Sequence, residues 1–265
     1  MTEMLTSPQN EHVKHLAKLR KDGRLRRSSG HFLVEGPRFV ETALESNATV
    51  EELIWSPNLA GEDHPLAARA GAGGIEIVRV SKDCYRKIAD VKNPQGIAAL
   101  VKTPEYDTDQ VLSDAEGLYL VACGIQDPGN LGTMIRAADA VGCAAVLVVR
   151  PAADIFNSKV VRSTAGSLLN LPVVALDEAD ALASLAAAGI RLILADAAGN
   201  ADARTADWSV PVALAVGSEA RGFSETLRGA AAASVRVPMW GRSESLNAAA
   251  AAAVCLYAAR WGQAE

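Results

Sequence analysis

The sequence predicts an α/β protein in two parts, a smaller N-terminal α/β domain and a larger C-terminal domain on a parallel sheet. Three observations predict it. Short β-branched runs alternate with amphipathic stretches along nearly the whole chain, the pattern of βα units. Residues 104–116, with several acidic or polar residues and no periodicity, read as a linker between residues 1–103 and 117–265. Beyond that linker the apolar runs strengthen, as in strands covered on both faces.

Taken in order, residues 9–27 place Val13, Leu16, Ala17 and Leu19 at helical spacing. Interleaved with them are Lys14, Lys18, Arg20, Lys21, Arg24, Arg26 and Arg27, and Ser28-Ser29-Gly30 breaks the pattern. A strand over Phe32–Val34, a helix over Arg38–Leu44 and a strand over Leu53–Trp55 follow. A short helix over Leu66–Ala70 leads to the Gly-rich turn Gly71–Gly74. Alternation then predicts a strand at Ile75–Val80, a helix at Lys82–Ala89 and a strand at Gly96–Val101. The C-terminal strands are Leu118–Cys123, Ala145–Val149, Val173–Leu176, Arg191–Ala195, Val212–Val216 and Ser234–Val237. The alanine-rich tract from Ala248 to Leu256 is too short to span a bilayer and reads as a buried helix.

Composition narrows the function classes. At 49% hydrophobic and 22% charged, the chain resembles an ordinary globular protein, and no membrane association is expected. Residues 1–10 lack an apolar stretch behind a basic patch, so no secretory signal is expected and the cytoplasm is the expected compartment. Cys84, Cys123, Cys143 and Cys255 are scattered without a C-x-x-C pair, which argues against a zinc site or a disulfide framework. All four histidines lie at or before His64, so C-terminal chemistry would proceed without a histidine triad, and no metal is expected there. The net charge of −5 is not that of an obvious nucleic-acid binder. The cluster from Lys14 to Arg27 nevertheless concentrates positive charge, and it points to phosphate contact rather than to a merely solvated helix face. No aromatic stacking motif of the RRM type is present, so a nucleic acid bound there would be recognised through shape and phosphates rather than read as a single-stranded run.

Ligands of open parallel sheets bind outside the carboxyl ends of strands. Three loops there stand out. The first, Asp127-Pro128-Gly129-Asn130, turns into a helix starting near Asn130 or Leu131 and carrying Arg136; Asn130 has a plain reading as its N-cap. In the second, Val216-Gly217-Ser218-Glu219, the glycine would let a ligand approach the backbone, and Gly222 closes the turn. The third runs from Val237 to Asn247, with Pro238 ending the strand and Ser243 or Ser245 placed to cap the alanine helix. No G-x-G-x-x-G fingerprint supports a nicotinamide oxidoreductase.

Together the three segments resemble the signature motifs of the SpoU/TrmH family of RNA ribose 2′-O-methyltransferases, in the SPOUT superfamily. The matching residues are Asn130, Gly132, Arg136 and Ala138; Gly217, Glu219 and Gly222; and Pro238, Met239, Ser245, Leu246 and Asn247. Phe32-Leu33-Val34-Glu35-Gly36 is similar to that family's substrate-binding domain. The resemblance implies a C-terminal trefoil-knotted SPOUT domain, a homodimer with its site near the subunit interface, and S-adenosyl-L-methionine as methyl donor. It also implies that the acceptor is a ribose of 23S ribosomal RNA, with transfer RNA as a second substrate class. A catalytically silent RNA-binding or assembly protein of the same fold is the competing reading, and the intact motif residues argue against it.

By the same resemblance, Asn130, Arg136, Glu219, Ser245 and Asn247 form the catalytic set, with Arg136 assigned to activating the hydroxyl. Arginine stays protonated, so stabilising the developing alkoxide or gripping a neighbouring phosphate suits it better than acting as a base. Asn130 would orient Arg136 or the ribose, and Glu219 would anchor the arginine or take the proton. The donor would lie against Leu194, Ala195, Val216, Gly217, Gly222, Val237, Met239, Ser245 and Leu246.

Overall fold

The computed structural model describes residues 3–218 and 222–263. In chain order its helices are α1 (Glu11–Lys21), α2 (Gly23–Ser29), α3 (Pro37–Glu45), α4 (Pro57–Ala60), α5 (Pro65–Ala72), α6 (Lys82–Ile88) and α7 (Thr108–Val111). After them come α8 (Pro128–Ala140), α9 (Ser158–Ser163), α10 (Glu178–Ala187), α11 (Glu225–Ala230) and α12 (Ala248–Gln263). The strands are β1 (His31–Glu35), β2 (Val50–Trp55), β3 (Glu76–Arg79), β4 (Ile97–Lys102), β5 (Leu118–Cys123) and β6 (Ala145–Val149). They continue with β7 (Val173–Leu176), β8 (Arg191–Ala195), β9 (Ala201–Asp202), β10 (Val212–Gly217) and β11 (Ala233–Arg236). The chain divides into two compact units, residues 1–105 with 156–170, and residues 106–155 with 171–265.

The first unit is built on a sheet of order β1-β4-β2-β3, in which β4 runs antiparallel to both neighbours and β3 parallel to β2. Val13, Leu16 and Leu19 of α1 meet Cys84, Tyr85 and Ile88 of α6 in its core. The single amphipathic stretch predicted over 9–27 is two helices. The Asp22 N–H still bonds Lys18, while its carboxylate caps α2 by accepting from the Arg24 and Leu25 N–H groups. Residues 156–170, over which no element is predicted, belong to this unit rather than to the second. Phe156 stacks on Phe32 with ring centroids 4.8 Å apart. Ser158 and Arg162 of α9 both bond the Asp90 carboxylate. The Phe32–Gly36 motif thus has an internal structural role, and the Gly36 N–H bonds the Ile97 carbonyl at 2.9 Å.

The second unit holds a seven-stranded sheet of order β7-β6-β5-β10-β8-β11-β9, every pair parallel. β5, β6, β7 and β8 have the predicted limits, whereas the two-residue edge strand β9 is too short to leave a periodic signal. From β5 the chain lays β6 and β7 to one side, and its later strands occupy the other. That reversal marks the crevice where ligands of such sheets bind. Helix α12 buries Ala248, Ala249, Ala252, Cys255, Leu256 and Ala259, and small side chains allow close packing on α8 and β10. Arg260 fastens its far end by donating to the Val141 and Gly142 carbonyls at 2.8 and 2.7 Å. The tract is therefore buried on one face only, leaving Ala250, Val254, Tyr257 and Trp261 exposed. No helix among the described residues is long and apolar enough to cross a membrane.

Candidate active site

The loop after β5 sets the first functional side chain. Helix α8 starts at Pro128, two residues earlier than expected, because Asp127 is its N-cap and accepts the Asn130 N–H at 2.8 Å. Asn130 is therefore not the cap. Its side chain is left for a distant partner, and its Oδ1 accepts a hydrogen bond of 3.1 Å from Asn247 Nδ2.

Asn247 also opens α12. Its Oδ1 accepts from the Ala249 and Ala250 N–H groups at 3.0 and 3.4 Å, so it supplies the cap expected of Ser243 or Ser245. Ser243 instead donates to the Ser245 carbonyl at 2.9 Å. One asparagine pair thus joins the first and third loops. Arg136 stands apart from that pair. Six residues on from Asn130, it is displaced by ~9 Å along the helix and ~120° around it. It is exposed, and the Asn130 Oδ1 is taken by Asn247.

A cleft of about 300 Å³ opens at the carboxyl ends of β8, β10 and β11 and against the start of α12. Its lining includes Ala195, Val216, Gly217, Gly222, Val237, Met239, Ser245 and Leu246, all expected at the donor site. Leu194 is the exception, packed in the core of the sheet behind Ala195. The second loop folds back on itself, with the Gly222 N–H bonded to the Ser218 carbonyl at 2.9 Å. A Cβ on Gly217 would lie 2.9 Å from the Gly222 oxygen and 3.1 Å from its carbonyl carbon. The loop's own backbone therefore already requires glycine at this position, which also lines the cleft. Glu219 lies outside the described residues.

The cleft also contains residues that motif reading missed: Asp196, Ser218, Phe223, Arg228 and Glu244. Asp196 follows a parallel strand, a position that the carboxyl-end rule could have flagged. Arg228 comes from α11, which carries no motif, and its Nη1 bonds Asp196 Oδ2 at 2.6 Å. Burial pushes the Asp196 carboxyl upward, but the Ala198 N–H and the Arg228 guanidinium outweigh it and hold its pKa below the ordinary value.

The profile of the SpoU rRNA Methylase family matches residues 117–257, and that of the MRM3-like substrate binding domain matches residues 10–99. The chain belongs to the SpoU rRNA methylase family. It is 34% identical to the 23S rRNA (guanosine(2553)-2′-O)-methyltransferase RlmP of Bacillus subtilis, across 96% of this chain and 98% of that one. It is 31% identical to the 23S rRNA (uridine(2479)-2′-O)-methyltransferase of Streptomyces viridochromogenes, across 88% and 84%. Among solved structures, the AdoMet-bound rRNA methyltransferase from Sinorhizobium meliloti superposes with a TM-score of 0.88 at 30% identity, covering 98% of this chain and 97% of that one.

In this SpoU-family chain the basic stretch of the first unit divides by burial. Arg26 is 4% exposed and donates to the Leu19 and Arg20 carbonyls at 2.7 Å each, satisfying the end of α1. Arg20 turns inward to the Ile88 carbonyl at 3.1 Å and lies 3.7 Å from Asp90. Neither guanidinium is open to a phosphate, in contrast to the sequence expectation. Lys18, Lys21, Arg24 and Arg27 are exposed, and Lys14 is half-exposed beside Glu11 at 2.8 Å.

Proposed function

We propose that the chain is a cytoplasmic, homodimeric enzyme that transfers the methyl group of S-adenosylmethionine to a ribose 2′-hydroxyl of 23S rRNA. The observation that carries this reading is the cleft where the second and third loops converge, tied through Asn247 to Asn130 of the first loop. Relatives named for 23S rRNA span both units of the chain, which favours ribosomal RNA as substrate. The family's trefoil-knotted path belongs to the same reading.

The residues of the cleft fit the donor. When bound, S-adenosylmethionine supplies an electrophilic methyl group on a sulfonium. Ala195, Val216, Val237 and Leu246 give apolar walls that exclude water. Residues 239–242 lie outside helix and strand, so neither ladder claims their backbone N–H and C=O groups, which suit an adenine edge. The Asp196 carboxylate, already paired with Arg228, and the Glu244 side chain face the cleft that a cationic ligand would enter. In our reading Ser245 borders the donor, while Arg136 stabilises the developing alkoxide or grips the neighbouring phosphate. Glu219 takes the proton or holds the arginine. Lys14, Lys18, Lys21, Arg24 and Arg27 meet RNA phosphates.

Calorimetric titration with S-adenosylmethionine, followed by labelled methyl transfer to a 23S rRNA transcript, tests the reading. Donor binding with label in one ribose is expected. Donor binding without label, or label on a base, would sink it.

The dimer is supported by α12. Ala250, Val254, Tyr257 and Trp261 form an exposed stripe at four-three-four spacing, and the Tyr257 and Trp261 rings lie 5.4 Å apart. Such a seam suits packing against a second copy. A Tyr257→Glu, Trp261→Glu double variant should be monomeric by light scattering with its thermal midpoint retained. A monomeric unmodified chain would overturn the assignment.

A further inference from the structure

The segment from Val237 to Asn247 carries a feature that donor binding does not use. Trp240 is 82% exposed, although its chain neighbour Met239 and the following Glu244, Ser245 and Leu246 all line the cleft. Trp208 provides the contrast: it is buried, and its indole N–H bonds the Ala203 carbonyl at 2.8 Å. An indole left in water costs free energy unless something covers it.

One face of Trp240 is already organised. The Arg204 guanidinium carbon lies 5.7 Å from the ring centroid, within reach of a cation–π contact. Arg204 is itself clamped by Asp202, with Nε at 3.1 and 3.2 Å from the two carboxylate oxygens and Nη2 at 2.6 Å. These hydrogen bonds pull the Asp202 carboxyl down to about 2, so it stays ionised. Asp202 sits on β9, which is paired to β11, and the Ala203 N–H bonds the Arg236 carbonyl at 3.0 Å. The cation is therefore held by the sheet edge. Its Nη1 makes no hydrogen bond among the described residues and is available to an anion.

We propose that Trp240 and Arg204 form a stacking platform beside the donor cleft, on which an unpaired base of the RNA substrate lies with its phosphate at Arg204 Nη1. The inference rests on the methyltransferase reading for its substrate class. Aromatic faces bind any base, and an adjacent arginine adds both cation–π and phosphate contact. Exposed Arg242, two residues on, adds positive charge, and Glu244 is the acidic group facing the cleft. Trp240 acts here as a positioning residue. By holding a base at the mouth of the cleft it would fix which ribose reaches the methyl donor.

The test needs no methyl transfer at its first step. Titrating the full chain with a single-stranded oligouridylate should quench tryptophan fluorescence, and the Trp240→Phe variant should lack that quench while still binding. Trp240→Ala should raise KM for a 23S rRNA transcript about tenfold, within the range of lost base stacking. Its kcat and donor affinity should hold, and Trp240→Phe should recover most of the loss. Arg204→Ala should flatten the salt dependence of oligonucleotide binding by about 0.7 in log–log slope. A quench that persists in Trp240→Phe would overturn the platform, as would an unaltered KM in Trp240→Ala. A change of oligomeric state in Trp240→Ala would overturn it too, by assigning the indole to a second copy. If oligouridylate quenches Trp240 but no RNA is methylated, the platform stands and the catalytic reading fails.

Discussion

Replacing Arg136 with alanine is expected to lower kcat for methyl transfer by about 10²- to 10³-fold, the usual loss when one electrostatic stabiliser of a developing oxyanion is removed. Donor affinity should not change, because Arg136 does not line the cleft. The side chain is exposed on α8 and engages no other described residue, so its removal leaves no buried group unpaired and should cost little stability. Arg136→Lys keeps the charge but loses the planar fork. An alkoxide role predicts partial recovery in that variant, whereas a bidentate phosphate grip predicts a raised KM for RNA. Calorimetry and steady-state kinetics on the same preparations separate these effects. An Arg136→Ala enzyme with full kcat and KM would remove the arginine from the mechanism.

Gly217→Val is expected to weaken S-adenosylmethionine binding by about 100-fold, or ~2.7 kcal/mol, near the upper end of ordinary overpacking costs. The first added carbon meets the Gly222 carbonyl group at 2.9 and 3.1 Å, and that obstacle is backbone rather than a flexible side chain. The turn closed by the Ser218–Gly222 hydrogen bond must open, and with it the wall of the cleft formed by Val216, Gly217 and Gly222. Gly229→Ala is the control, since its Cβ would meet nothing within 4 Å. Calorimetric titration of both variants decides the matter. Unchanged donor affinity in Gly217→Val would show that the turn is not part of the donor site.

Much of the fold was legible because its signals are local. Four C-terminal strands have the predicted limits, since largely apolar runs flanked by breakers leave little choice of conformation. The three loops were legible for a related reason: a strand that stops at glycine or proline exposes backbone whatever surrounds it. Where the reading missed, burial or a distant partner made the decision. Arg20 and Arg26 look like their basic neighbours in sequence, yet the packing of α1 and α2 turns their guanidinium groups onto carbonyls. Residues 156–170 carry no strong pattern, and the anchors of that segment, Phe32 and Asp90, lie far earlier in the chain.

By itself the sequence determined an alternating α/β chain, a parallel sheet in its larger part, and the three loops that resemble one methyltransferase family. Periodicity and turn chemistry act over a few residues, so they can be read without coordinates. Only the tertiary structure decided what those loops do to one another. It gave the helix cap to Asn247 and paired that residue with Asn130, 117 positions away. It also closed the second loop on its own backbone at Gly217, and left Trp240 in water against Arg204. The Asn130–Asn247 pair and the Trp240–Arg204 contact depend on through-space distance between segments remote in sequence, which no local pattern encodes.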